Sequence, residues 1–486
     1  MSTPKITVQD FTNSPKVQNN LKKLREAFGT NGKPFIVSDV LDAEGHQYVN
    51  LVQKGGGVLG VALVGYTYVL EQMGVRFLRM AGTSAGAINT AMLTVIGKKQ
   101  EEKSGRVLDA ITNLNFFDLV DGHPAARWVI KRFITHKKYF QRVRNVAIGV
   151  IALFALLLAG SIVSLILVQK NEGLLNLSRS LLLALVVIMI VIGELVHYIL
   201  KLFRKFKTAG YGINPGHFFY NWIEKQMRDN GVLNTNDLVN KAAQDIPGLH
   251  LRNEHPQGVT DLKGDITLIT SELVTQNKIE FPAMAGLFRS KGKDDLHPAG
   301  FVRASMSIPM FFESYFIKDI PCDLPEIKKQ WKDIFDEDDP PSVARFVDGG
   351  ILSNFPINIF YNPKVTVPRL PSFGIDLDDS APEDKSKRAG SWTIMGYFGR
   401  IFNTIRNYYD KDFQLKNKVY SRGVGTIPLA EYNWLNFLLP IRKSWPCLKK
   451  VRRQLQAFFY NLTGRNIKTT GLLCRLLSRG IKDKPV

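Results

Sequence analysis

The sequence predicts an α/β fold into which a two-helix transmembrane hairpin is inserted. Three observations carry that prediction. An extended run ending in three glycines, HQYVNLVQKGGG from His46 to Gly57, leads into the helical stretch VLGVALVGYTYVLEQMG. A second extended run, VRFLRM from Val75 to Met80, turns through Ala81–Gly86 into AGAINTAMLTVIG, again helical. Two long, almost uncharged segments then interrupt the chain between about 146 and 200. With 486 residues, 45% of them apolar and 22% charged, the chain can bury a large core and is neither a disordered nor a collagen-like polymer.

Residues 1–45 read as a polar preamble with one amphipathic helix near Val17 to Phe28. The N-terminal stretch has no apolar core of signal-peptide type, so the N-terminus is expected to begin in the cytoplasm. Cys322, Cys447 and Cys474 are odd in number and widely spaced, which favours a reducing compartment and supports neither a disulfide framework nor a structural zinc site. Lys and Arg number 64 against 43 acids, a net charge of +21, which predicts attraction to an anionic partner such as lipid headgroups or nucleic acid. No RNP, KH, zinc-finger or helix-turn-helix signature is present, so no nucleic-acid partner is expected.

The α/β body begins with residues 46–126. Gly55, Gly57 and Gly60 satisfy G-x-G-x-x-G, but the second strand does not end in the carboxylate that a dinucleotide ribose requires. In that place stands Gly82-Thr83-Ser84-Ala85-Gly86, a G-x-S-x-G between strand and helix. Such a turn projects a serine hydroxyl into a cleft, and Gly82 and Gly86 remove side chains that would collide there. Ser84 is therefore the candidate nucleophile. The N–H groups of Gly55, Gly56 and Gly57, with that of Ala85, are candidate oxyanion donors at helix N-termini, where negative charge is favoured.

The insertion is expected at 127–207. VAIGVIALFALLLAGSIVSLILV, about 146–168, holds 23 residues without a charge, and at 1.5 Å per residue exceeds a hydrocarbon core of roughly 30 Å. After the polar link QKNEGLLNLSRS, the run at about 181–200 is broken only by Glu194 and His197. These two lie three apart on one helix face, where they suit snorkelling near a membrane surface; pairing or a proton path is the alternative. Arg127, Lys131, Arg132, Lys137, Lys138, Arg142 and Arg144 precede the hairpin, and Lys201, Arg204, Lys205 and Lys207 follow it. The positive-inside rule puts both flanks in the cytoplasm, at the inner membrane if the host is a bacterium. A hairpin returns the chain to its starting side, so one body can form from both flanks.

The body resumes at 208–435. HFFYNWIEKQMRDNGV and NDLVNKAAQDI read as helices and as a plausible lid, DITLITSEL and PSFGIDL as strands, and Trp392 to Tyr409 as an aromatic amphipathic stretch. A short apolar strand ends at Asp348 in ARFVDGGILSNFP. No histidine follows Asp348, so the order Ser, acid, His of an α/β-hydrolase triad is closed through it, and a Ser84–Asp348 dyad with Asp348 as general base is open. Partial desolvation of Asp348 would raise its pKa towards neutrality. ASMSIP, from Ala304 to Pro309, is expected to form a wall against the serine turn, with Pro309 ending a helical stretch. Acidic FDEDDPP, 335–341, lacks calcium-loop spacing and reads as a solvated turn. The tail, 436–486, mixes apolar and basic residues, with 12 Lys or Arg against one acid from Ile441 onward, and suits an anionic lipid surface or an ordinary amphipathic helix.

GGGVLG at Gly55–Gly60, GTSAG at Gly82–Gly86, ASMSIPMFF at Ala304–Phe312 and DGGILSNFP at Asp348–Pro356 together resemble the patatin-like phospholipase family in order and spacing. The resemblance covers about 46–98 and 264–380. It implies a three-layer α/β/α fold and a dyad in which Ser84 attacks an ester carbonyl and Asp348 acts as base. The family's common glycine motif carries Arg or Lys where this chain has Leu59, and Lys54 is the nearest substitute. The resulting expectation is a membrane-anchored acyl hydrolase for phospholipid or lysophospholipid, with no metal and no organic cofactor. A lipid acyltransferase, a neutral-lipid lipase with the same dyad, and a non-catalytic lipid-binding scaffold are the alternatives.

Overall fold

A computed structural model describes residues 8–29, 36–135, 139–167, 172–208, 210–252, 262–289, 296–378 and 394–429. The expected loop at 381–391 and basic tail at 436–486 lie outside the described residues. The chain divides into two compact units, one of 1–120 with 216–486 and one of 121–215.

The first unit is built on a ten-stranded mixed sheet. Its strands, in chain order, include β1 (Val40–Leu41), β2 (Gln47–Gln53), β3 (Val75–Thr83), β4 (Asp265–Glu272), β5 (Lys278–Phe281), β6 (Tyr315–Ile317), β7 (Ala344–Asp348), β8 (Ser372–Asp378) and β9 (Val424–Pro428). The main path runs β9-β8-β2-β3-β4-β7-β6. From β9 to β4 neighbours are parallel, and β7 is antiparallel to both β4 and β6. Parallel strands covered on both faces read as continuous apolar runs, and every residue of β2 is buried accordingly.

The expected strands and helices are present. Among the helices are α1 (Pro15–Gly29), α2 (Val61–Gln72), α3 (Ala85–Val95), α4 (Tyr139–Leu167), α5 (Glu172–Thr208), α6 (His217–Asp229), α7 (Ala299–Ser305), α8 (Pro325–Phe335) and α9 (Ile394–Lys416). Helices α2 and α3 are buried almost all round, which is why they lack a polar stripe in sequence. Phe11 meets Tyr68 edge-on and β1 pairs with β2, so part of the polar preamble packs on this body. Around β5 and β7 the core is aromatic: Phe281 stacks on Phe301 at 4.3 Å, and Phe288 meets both Trp331 and Phe346 edge-on. Asp336 and Asp338, from the acidic turn, both reach Lys332 at 2.9 Å on the surface.

The second unit contains α4 and α5, which pack on each other. The residues read as a polar link are largely helical, because α5 starts at Glu172 and NEGLLNLSRS has few helix breakers. Stretches 144–164 and 175–208 are long and apolar enough to cross a membrane, and only 6% of an 18-residue apolar window in each is buried. The buried residues are chiefly small: Ser161, Ser164 and Ser178, together with Leu185. Gly160 faces Leu181 closely enough that a Cβ would lie 3.6 Å from its Cδ1. Glu194 and His197 face outward.

Candidate active site

Sheet register brings the two motif residues to one place. Thr83, at the end of β3, pairs with Ile269 on β4, and Thr270 pairs with Asp348 on β7. Ser84 and Asp348 thus leave the strands flanking β4 at the same level. The Ser84 hydroxyl acts on the Asp348 carboxyl as a nearby donor, favouring its ionised form. Both groups are nearly inaccessible, at 3% and 6% exposure.

Ser84 has φ 53° and ψ −120°, a conformation that costs a non-glycine residue roughly 1–3 kcal/mol and persists only if its surroundings impose it. The surroundings do so. The Ser84 N–H donates to Ser305 Oγ at 2.9 Å, and that hydroxyl donates to the Ile269 carbonyl at 2.5 Å. The Ser84 carbonyl accepts from the Ile88 N–H at 3.1 Å in the first turn of α3. Close packing of the turn explains its glycines: a Cβ on Gly86 would collide with the Gln53 carbonyl, and one on Gly82 with the Gly86 carbonyl.

Asp348 is fixed just as tightly. Its N–H donates to the Ser307 carbonyl at 2.8 Å, and its Oδ1 accepts from the Gly350 N–H at 2.7 Å. The ASMSIP segment therefore grips both sides of the site, through Ser305 to Ser84 and through Ser307 to Asp348. Its helix is shorter than the sequence reading. Helix α7 stops at Ser305 rather than at Pro309, because the chain turns there to deliver these two contacts. Burial pushes the Asp348 carboxyl above the ordinary carboxylate range. The Ser84 hydroxyl, the Gly350 N–H and the charge of Arg406 pull it partly back.

The glycine loop lies against the serine turn. A Cβ on Gly55 would stand 3.0 Å from the Ser84 Cβ, and one on Gly60 would stand 2.6 Å from the Ala85 Cβ. The reading of Gly55 as an oxyanion donor needs correction: its N–H donates to the Asn354 carbonyl at 3.0 Å and is spent on holding the loop. The N–H groups of Gly56, Gly57 and Ala85 are not taken up by an acceptor among the described residues. As the N-terminal residues of a 3₁₀ turn and of α3, Gly57 and Ala85 have N–H groups with no acceptor inside their own helices. Lys54 does not stand in for a cation at Leu59, because its ammonium is paired with Asp376 at 2.6 Å, and Leu59 itself is buried.

Three residues missed in the sequence complete the site. Arg406 and Asp410 lie one turn apart on α9. Asp410 accepts from the Ser353 hydroxyl at 3.1 Å and the Phe355 N–H at 2.8 Å, and burial pushes its carboxyl up to about 6. Asn354 stands over the glycine loop, its Nδ2 reaching the Gly55 carbonyl at 3.4 Å. A Cβ on Gly350 would lie within 2.6 Å of Asn354 Oδ1, 2.8 Å of Asp348 Oδ1 and 2.9 Å of Arg406 Nη2. Glycine there lets all three converge. Both Asn354 Oδ1 and Arg406 Nε are buried without a hydrogen-bond partner among the described residues. The available signal was the i, i+4 spacing of Arg406 and Asp410 on the helix face opposite an apolar stripe. Chemically, the arrangement sets a hydroxyl beside a buried carboxylate, with N–H donors at two helix starts.

The family model of the patatin-like phospholipases matches residues 51–361. A Bacillus subtilis (strain 168) protein described as uncharacterized protein YqhO is 24% identical over 418 residues, covering 86% of this chain and 99% of its own length. Among solved structures, VipD from Legionella pneumophila aligns at 12% identity with a TM-score of 0.38, over 90% of this chain and 72% of VipD. ExoU, in its complex with SpcU from the type III secretion system of Pseudomonas aeruginosa, aligns at 12% identity with a TM-score of 0.30. That alignment covers 85% of this chain and 52% of the other, so the chain spans about half the length of ExoU. With its glycine loop, serine turn, ASMSIP segment and Asp348 loop all inside the matched region, this chain belongs to the patatin-like phospholipase family, whose members act on lipid acyl esters.

Proposed function

We propose that the protein is a membrane-anchored serine acyl hydrolase that cleaves fatty-acyl esters of phospholipid or lysophospholipid through a Ser84–Asp348 dyad. The observation that carries this reading is the sheet register that brings a serine held at positive φ and a buried carboxylate to the same level on the strands flanking β4. Ser84 Oγ attacks the ester carbonyl and its proton passes to Asp348. Negative charge on the carbonyl oxygen is met by the N–H groups of Gly56, Gly57 and Ala85. Collapse releases the alcohol with the proton from Asp348 and leaves an acyl-serine. Water, deprotonated by Asp348, then attacks the acyl-serine; the C–Oγ bond breaks, Ser84 Oγ recovers the proton from Asp348, and a fatty acid leaves.

The anchor in this reading is the helical hairpin of residues 121–215. Its outward side chains, such as Ile151, Leu156 and Ile190, are large, apolar and exposed, which suits a lipid solvent and not water. Its buried contacts use glycine and serine, as helix pairs in membranes do. Tethering keeps the enzyme at the phase that holds its substrate. The three-layer arrangement and the domain limits read from the sequence belong to the same proposal.

The test is fatty-acid release from phospholipid and lysophospholipid by the purified full chain in lipid nanodiscs. Ser84→Ala should lower the rate by about 10³-fold or more, and Asp348→Asn comparably. Undiminished release by Ser84→Ala overturns the nucleophile. Mass analysis of the products identifies the acceptor, since free fatty acid marks water and a newly acylated lipid marks transfer.

A further inference from the structure

The guanidinium of Arg406 stands open beside the dyad. Its Nε is buried without a hydrogen-bond partner, and no carboxylate forms an ion pair with it, among the described residues. Two other cations around the site are already engaged, Lys54 by Asp376 at 2.6 Å and Arg303 by the Ser307 hydroxyl and, at 2.8 Å, the Glu313 carbonyl. A charged donor left buried and unmatched is costly, so a guanidinium whose Nε is kept that way next to a nucleophile is placed for an acceptor that the substrate brings. Two glycine faces locate it. A Cβ on Gly55 would stand 3.0 Å from the Ser84 Cβ and 2.5 Å from Asn354 Oδ1. One on Gly350 would meet the same Asn354 Oδ1 at 2.6 Å, Asp348 Oδ1 at 2.8 Å and Arg406 Nη2 at 2.9 Å. Arg406 therefore belongs to the reacting cluster, on its Asp348 side. Asn354 Oδ1 is also buried without a partner among the described residues, which makes this corner a seat for a polar part of the substrate and not for its acyl chain.

The proton path says which polar part. In the course proposed above, Asp348 takes the proton of Ser84 and hands it to the leaving alcohol, so the alcohol half of the ester passes on the Asp348 side. Arg406 and Asp348 feel each other's charge, and the guanidinium loses that counter-charge when the proton arrives on the carboxylate. An anionic group on the alcohol restores it during the step. In a glycerophospholipid the phosphate is attached one or two carbons from the ester oxygen, and the planar fork of an arginine matches its oxygens. A neutral glyceride brings no such charge.

We propose that Arg406 is a specificity-determining residue that reads a phosphate on the alcohol half of the ester, so that the substrate is an acyl ester of a phosphate-bearing glycerol and not a neutral lipid. This rests on the acyl-hydrolase reading and deepens it by naming the substrate class and the side chain that selects it.

The purified full chain, in micelles of an uncharged detergent, is given oleoyl lysophosphatidylglycerol or monooleoylglycerol, which share the acyl chain and differ in the phosphate. Values of kcat/KM are taken on the pH plateau of each variant, so that a displaced acid limb does not enter the comparison. The wild type should prefer the phosphate-bearing ester. Arg406→Gln should lower the ratio of the two kcat/KM values about tenfold or more, and Arg406→Lys, which keeps the charge and loses the fork, should give an intermediate ratio. A wild type that prefers the neutral ester, a ratio unchanged in both variants, or an equal fall on both substrates overturns the proposal; in the last case Arg406 only positions Asp348. If the wild type hydrolyses neither ester, the hydrolase reading fails, and binding decides the role of Arg406. Ser84→Ala should then bind the lysophosphatidylglycerol more tightly than the monooleoylglycerol, and adding Arg406→Gln should abolish the difference. Equal binding of the two lipids by Ser84→Ala overturns the phosphate reading without recourse to an Arg406 variant.

Discussion

A carboxylate accepts a serine proton near neutral pH only when it is less comfortable ionised than in water, and burial gives Asp348 that property. Its raised pKa has a definite sign in kinetics. In the proposed mechanism the ionised form is the competent base, so kcat/KM for a soluble ester should fall as pH drops through a value above the ordinary carboxylate range. Arg406 favours the ionised form, so Arg406→Gln should move that acid limb to higher pH, while Arg406→Lys should leave it nearer the wild-type position. A pH–rate profile checks both, and a limb that stays put in Arg406→Gln shows that the guanidinium charge is not felt at Asp348. The serine turn makes a second prediction. A methyl group on Gly86 meets backbone, which cannot swing aside as a side chain can, so Gly86→Ala should destabilise the fold by about 1–3 kcal/mol and abolish ester turnover. Thermal unfolding and a turnover assay measure the two effects. Ser84, Gly82 and Gly86 were legible in sequence because one tight turn sets their spacing. That the Gly55 amide is spent on Asn354 was not, since the partners lie 299 positions apart.

Elements add what single residues cannot, and α9 is the clearest case. Its amphipathic stretch is visible in the sequence, but the orientation of its faces is not, because Asp410 meets Ser353 across 57 positions. Strands β2, β3, β4, β7 and β8 and helices α2, α3 and α6 were readable because local periodicity and glycine punctuation set them. Helix α7 was misjudged at its end, where tertiary hydrogen bonds of Ser305 and Ser307 outweigh the stop signal of Pro309. The anchoring of α9 is testable through pH. In the folded chain the Asp410 carboxyl is pushed up to about 6 from an ordinary 3.8, so the native state binds its proton more tightly than the unfolded chain does. This contribution is fully present below about 4 and is lost as pH rises through about 6. Asp410→Asn should remove that part of the pH dependence of the denaturation midpoint. Asp410→Ala leaves the Phe355 N–H and the Ser353 hydroxyl without their acceptor, and should cost about 1–3 kcal/mol at pH 7.

At the scale of the whole molecule the proposed function asks one chain to serve both an aqueous reaction and a membrane. Two helices of 29 and 37 residues are about 43 and 55 Å long, each more than a hydrocarbon core requires. An even number of crossings returns the chain to the side it left. Segments 1–120 and 216–486 can then fold together as the first compact unit, whose sheet takes strands from both: β3 precedes the insertion and β4, paired with it, follows. If the hairpin crosses a membrane as proposed, that shared sheet requires both of its flanks to lie in one compartment, and the positive-inside rule then assigns them to the cytoplasmic side. Reporter fusions at the N-terminus and after residue 208 should therefore respond alike, and a reporter inserted in the link at 169–171 should respond oppositely. Leu156, among the most exposed apolar residues of α4, tests the lipid contact itself. Leu156→Arg places a charge at mid-helix, where insertion is opposed by about 2.5–3.5 kcal/mol, so part of the population should shift from carbonate-resistant membrane to soluble or aggregated fractions. Leu156→Phe, equally large and apolar, should leave the partition unchanged. If both variants fractionate with the membrane as the wild type does, the outer face of α4 is not bathed in lipid, and the anchor must lie elsewhere in the chain.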